Sequence, residues 1–97
     1  MDLTKEELDI VVSAVQKHLP QDIEIFLFGS RINGTSHKAS DLDVLLKNEG
    51  PIDLAKMALI KESIENSNIS FNVDILDYHR CSKEMLKNIS ASLKKIK

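Results

Sequence analysis

An α/β fold of two or three layers is predicted by three features of the 97-residue sequence. Apolar residues recur at helical spacing in three stretches, three shorter stretches have the length and composition of strands, and the two kinds are interleaved. The expected order is helix, strand, strand, helix, strand, helix in one domain spanning residues 1–97, since this length leaves no room for a second core.

Thr4-Lys5-Glu6-Glu7 has the spacing of a capping box, in which the Thr hydroxyl and the Glu carboxylate satisfy free amides at a helix start. Leu8, Val11, Val12, Val15 and Leu19 then share one helical face until Pro20 ends the run. Residues 22–28 read as a strand with Ile23, Ile25 and Leu27 on one face and Glu24, Phe26 and Phe28 on the other. Apolar residues on both faces place it centrally in a sheet. Gly29-Ser30 ends it, and residues 31–40 are polar without alternation. A second strand is expected over 41–47. Gly50-Pro51 then opens a helix of about sixteen residues, Pro being accepted in a first turn, with Met57, Ile60 and Ile64 on one face and Asn66-Ser67-Asn68 closing it. From Ile69 to Leu76, Ile69, Phe71, Val73 and Ile75 point one way and Ser70, Asn72, Asp74 and Leu76 the other, which predicts a third strand. Ser82 caps a last helix with the stripe Leu86, Ile89, Leu93 and Ile96.

With 42% apolar and 29% charged residues the chain has the composition of a folded domain. Its net charge of −2 gives no overall pull toward nucleic acid or an anionic membrane. The charge is uneven. Residues 1–78 carry seven Lys/Arg against fourteen Asp/Glu, and residues 79–97 carry six against one, so the tail is either a solvated basic helix face or a docking surface for something acidic. The lone Cys81 excludes an internal disulfide and suits a reducing compartment. No apolar run approaches a membrane span and the N-terminus does not read as a signal peptide, so a cytoplasmic location is expected.

The residues that carry chemistry start with Asp41-Leu42-Asp43. On a strand the two carboxylates leave one face, with Cα atoms about 7 Å apart, while Leu42, Val44 and Leu46 take the other. Like charges so placed repel, and a divalent cation between them turns repulsion into binding. Asp74, on the polar face of the third strand, becomes a third ligand if the two strands are neighbours. Asp77 has the opposite parity and is expected to start the turn into Tyr78-His79-Arg80. Oxygen-only carboxylate sites suit magnesium or manganese, and magnesium keeps positions open for substrate phosphates, which points to a nucleotide. Gly29-Ser30 supplies the complementary half: a glycine lets phosphate approach the backbone, and a helical turn from Ser30 would aim its amides at the anion. His18, His37 and His79 lack the spacing of a zinc site, while His37 and Lys38 lie in the loop facing the expected pocket.

Gly29-Ser30, ten residues, Asp41-Leu42-Asp43 and a later acidic strand residue, Asp74, resemble the motif of the nucleotidyltransferase superfamily related to DNA polymerase β. Four fixed positions of these types arise by chance about once in 10⁵ starts. The longer pattern, with Arg31, Gly34 and Ser40, is similar to the minimal nucleotidyltransferases, small proteins often paired as antitoxins with a HEPN-domain toxin. Where many of these read Arg-Ala-Arg-Gly after the Ser, this chain has Arg31-Ile32-Asn33-Gly34 and lacks the second basic residue.

The resemblance implies the polymerase β-like fold, a small mixed sheet flanked by helices. It implies a magnesium-dependent transfer of a nucleoside monophosphate, AMP from ATP, to a hydroxyl such as a tyrosine of a HEPN toxin. Asp41, Asp43 and Asp74 would be both catalytic and metal-binding, holding two ions, with manganese an alternative. Gly29, Ser30, Arg31 and Ser40 would bind the nucleotide. A template-directed polymerase is not expected, for lack of a second domain or basic groove. A partner or a second copy of the chain would complete the acceptor site. The alternative is a binding module that blocks a toxin by covering it, without catalysis.

Overall fold

The sheet is built around two apolar strands, β1 (Glu24–Phe28) and β2 (Leu42–Lys47), which pair antiparallel with Ile25 opposite Leu46 and Phe28 opposite Asp43. This computed structural model describes residues 3–29, 32 and 41–97. A third strand, β3 (Val73–Asp77), lies parallel to β2, and a short β4 (Lys94–Lys95) lies antiparallel to β1. The order β3-β2-β1-β4 makes a mixed sheet with β1 and β2 at its centre.

Side-chain alternation gives the sheet its two faces. Ile25, Leu27, Leu42, Val44, Leu46 and Val73 join one buried cluster with Val11 and Val15 of helix α1 (Lys5–His18) and Ile60 and Ile64 of helix α2 (Leu54–Glu65). Each fully buried Leu, Ile or Val stabilises the fold by about 1.5–3 kcal/mol, so this layer of two helices on a sheet is where the core sits. Leu45 points to the other face and is also fully buried, so that face is covered along its middle. The connection from β3 to β4, residues 78–93, has to travel from one edge of the sheet to the other.

Helix α1 begins as its sequence predicts. Glu7 N–H donates to the Thr4 hydroxyl at 3.1 Å and Thr4 N–H donates to Glu7 Oε1 at 2.9 Å. Helix α2 starts later than Gly50-Pro51 suggests, because Ile52 is drawn inward: its side chain is buried and its N–H donates to Asp77 Oδ2 at 2.8 Å. That bond holds the chain extended until Asp53 caps the helix by accepting from Ala55 N–H at 2.8 Å. Strand β3 is shorter than its alternation, since β2 begins at Leu42, opposite Val73, and the ladder begins there. Ile69 and Phe71 still pack against the core.

The C-terminal helix is the largest departure. It covers only Lys83–Ile89 (α3), capped by Ser82, and gives way to a 3-10 turn at Ser90–Ser92. There the Ser90 and Ser92 hydroxyls donate back to the Lys87 and Ile89 carbonyls. Leu93 and Ile96 therefore do not continue a helical stripe. The unpaired side of β1 outcompetes the helix for this segment: Ile96 N–H donates to Ile25 O at 2.9 Å and Ile25 N–H donates to Lys97 O at 2.8 Å. Lys95 also meets Glu24 at 3.4 Å. The basic tail is thus divided between α3 and an edge strand whose lysines discourage further strand addition.

Asp77 is the buried charged side chain among the described residues and does what its parity implies. Its Oδ1 accepts from His79 N–H at 3.0 Å, and its Oδ2 accepts from Ile52 N–H and from Arg80 Nη1 at 2.6 Å. It starts the 3-10 turn Tyr78–Arg80 and ties β3 to the entry of α2. Asp77→Asn, which removes charge and one acceptor, is expected to cost about 1–3 kcal/mol, read as a lower urea midpoint at unchanged slope.

Candidate active site

The parallel register of β2 and β3 decides where the acidic residues go. Asp43 pairs directly with Asp74, while Leu42 and Val44 pair with Val73 and Ile75 and send their side chains to the core. Neighbouring strands lie about 4.8 Å apart, so Asp43 and Asp74 project side by side from the face opposite α1 and α2. Asp41 stands just before the first paired residue of β2, exposed, two residues from Asp43 and therefore on the same face. Asp77 lies on the opposite face. Three expected site residues thus share one side of the sheet, at the end of β2 where β1 finishes.

Gly29 follows β1 and completes this corner. Its φ of +98° is a conformation that glycine adopts without penalty. A Cβ built on it would lie 2.5 Å from Asp43 Oδ2, so the backbone of Gly29 and the carboxylate of Asp43 occupy adjoining space. Register explains the closeness, since Phe28 is the cross-strand partner of Asp43. Gly29 O accepts from Ile32 N–H at 3.0 Å. Ser30, Arg31 and Ser40, expected to contact nucleotide, lie outside the described residues, as do Gly34, His37 and Lys38.

The charges are unequal in environment. Burial pushes the Asp43 carboxyl above its ordinary value, and the neighbouring charges of Asp74 and Asp41 push it further. Asp74 has a partner that the sequence reading did not single out: Asn72 Nδ2 donates to Asp74 Oδ1 at 3.3 Å. The signal was available, because residues two apart on an extended segment share a face.

Among the described residues no three His, Cys, Asp or Glu side chains are gathered at metal-ligand spacing. The carboxylates nevertheless fit a hard divalent cation in chemistry. They offer oxygen donors only, from two adjacent strands, and the mutual repulsion that raises Asp43 is what such a cation relieves.

Two measurements check this corner. Gly29→Ala is expected to cost about 1–3 kcal/mol in unfolding free energy, because the methyl both strains the backbone and displaces the Asp43 carboxylate. A raised folded-state pKa means that ionised Asp43 weakens the fold at neutral pH and that protonation relieves the cost as pH falls. Asp43→Asn is therefore expected to be more stable than the unsubstituted protein at pH 7 in chelator. The gap should shrink as pH drops through the folded-state value toward 3.8 and below, followed by urea titrations across that range.

Comparison with known proteins gives the corner its family. The model of the family described as polymerase beta, nucleotidyltransferase, matches residues 9–97. The chain is 36% identical over 84 residues to a probable protein adenylyltransferase, MntA, of Haemophilus influenzae, covering 87% of this chain and 73% of that protein. In fold it resembles a chain in the crystal structure of a toxin-antitoxin with AMP-PNP, with a TM-score of 0.76 at 22% identity, over 90% of this chain and 69% of that one. It also resembles a chain in the structure of a tri-AMPylated Shewanella oneidensis HEPN toxin in complex with MNT antitoxin, with a TM-score of 0.73 at 16% identity, over 96% of this chain and 71% of that one. Among the described residues no helix is long and apolar enough to cross a membrane. The mixed sheet with its acidic strand pair is accordingly the polymerase β-like fold, and the chain belongs to the polymerase β nucleotidyltransferase family.

Proposed function

We propose that this protein transfers AMP from ATP to a hydroxyl of a partner protein, a tyrosine of a HEPN toxin, and so silences the toxin. The observation that carries the reading is the pairing of Asp43 with Asp74 beside the glycine turn. The Haemophilus relative, a probable protein adenylyltransferase, supports the reaction. The likeness to a chain in a complex of tri-AMPylated HEPN toxin with its antitoxin supports the partner and the acceptor chemistry.

Asp41, Asp43 and Asp74 would hold magnesium, with manganese as a substitute. The metal, when bound, supplies positive charge that offsets the triphosphate and the departing pyrophosphate. Gly29, having no side chain, makes room for the Asp43 carboxylate at the turn, and its backbone together with Ser30, Arg31 and Ser40 would bind the triphosphate. Asp74, at the outer strand of the pair, accepts the proton of the acceptor hydroxyl. That oxygen forms a bond to the α-phosphorus as the bond from α-phosphorus to the pyrophosphate oxygen breaks, with attacking and leaving oxygens in line. Asp43, destabilised by burial and by its neighbours' charges when the site is unloaded, is relieved when positive charge enters.

The test uses ATP labelled at the α or the γ phosphate, magnesium, and the product of the neighbouring gene. Label on the partner from α-labelled ATP alone is the expected result, and Asp43→Asn and Asp74→Asn should each lower the rate about a hundredfold or more. Label from γ-labelled ATP would show a kinase. A tight complex without either label would show a protein that covers its partner without modifying it. In melting experiments, magnesium with ATP at a hundred times its Kd should stabilise the protein by about 2.7 kcal/mol. Asp43→Asn should lose most of that gain.

A further inference from the structure

Asn72 reaches both acidic strands at once. Its main-chain carbonyl accepts from Leu42 N–H at 3.0 Å, at the residue that separates Asp41 from Asp43, and its side-chain amide donates to Asp74 Oδ1 at 3.3 Å. The side chain is exposed and fills no core volume. We infer that Asn72 is a positioning residue for the proposed adenylyl transfer, holding one oxygen of Asp74 by its amide and leaving the other for the cation and the acceptor hydroxyl. The inference rests on the carboxylate site as read above.

Charge decides why an amide suits this position. A carboxylate beside another carboxylate is driven by repulsion to rotate away, and a hydrogen bond to one of its oxygens opposes that rotation. A lysine or arginine there would also hold Asp74, but it would neutralise the charge and compete with the incoming cation. The amide of Asn72 orients Asp74 without changing the net charge of the site. Partners of this kind, which touch a ligand's second oxygen, typically change metal affinity by about 10–100-fold when removed. The bond from Leu42 N–H uses only the backbone of residue 72, so any side chain keeps it. A truncation therefore isolates the amide.

The experiment measures manganese binding to the full chain with a non-hydrolysable ATP analogue, by the electron paramagnetic resonance signal of free Mn²⁺, in the unsubstituted protein, Asn72→Ala and Asn72→Ser. Metal-free melting curves and kcat and KM for transfer are recorded beside it. Asn72→Ala is expected to weaken Mn²⁺ binding about tenfold, at the low end for an exposed partner, with the metal-free melting temperature unchanged. Asn72→Ser, which keeps a donor, should recover part of the loss, and kcat should fall more than KM for ATP rises. Unchanged Mn²⁺ affinity in Asn72→Ala, while the unsubstituted protein binds the ion, overturns the inference and leaves the site reading standing. A loss that follows a lower metal-free melting temperature and is not recovered by serine overturns it too, since the role is then structural. Failure of the unsubstituted protein to bind Mn²⁺ with the analogue removes the carboxylate site itself.

Discussion

The parallel pairing of β2 with β3 is the constraint on which the rest depends. One residue of slip in that register would turn Asp74 into the core and bring its apolar neighbours to the surface. The core therefore enforces the acidic corner. Val73 and Ile75 must face the helices with Leu42 and Val44, and the price of satisfying them is two carboxylates side by side on the other face. The unfavourable placement of Asp43 is a by-product of favourable burial a residue away on either side.

The two aspartates of β3 show how the same side chain serves opposite ends in three residues' space. Asp77, on the core side, is saturated by two backbone amides and Arg80, and works as a structural tie between β3 and the start of α2. Asp74, on the other side, has one neutral donor among the described residues, Asn72, and a like-charged neighbour. A fully bonded carboxylate stabilises a fold, whereas one placed beside its own kind is chemistry held in reserve. The strand period of two separates them, so parity, together with the place of Asp77 at the strand end, distinguishes the two in the sequence.

Local rules made most of this architecture legible. The Thr4–Glu7 box, the stop at Pro20, the apolar alternation of β1 and β2 and the common face of Asp41 and Asp43 all follow from patterns within a few residues. What could not be read were the features set by distant partners. The start of α2 was hidden because it depends on a bond from Ile52 to Asp77, 25 residues further along the chain. The helical spacing of Leu86, Ile89, Leu93 and Ile96 is real, but only the first two lie in α3, because the free side of β1 claims the tail. The conflict between Gly29 and any side chain was likewise invisible, since it comes from the carboxylate of Asp43 on the adjacent strand.

That claim on the tail has a bearing on how the molecule is made. Ile25 exchanges backbone hydrogen bonds with Ile96 and Lys97, some seventy positions away along the chain. As the protein leaves the ribosome, β1 can find β2 early, yet its other side stays bare until residues 94–97 have emerged. Closing so long a loop costs more chain entropy than pairing β1 with β2, so the far side of the strand that leads into Gly29 is sealed after the near one.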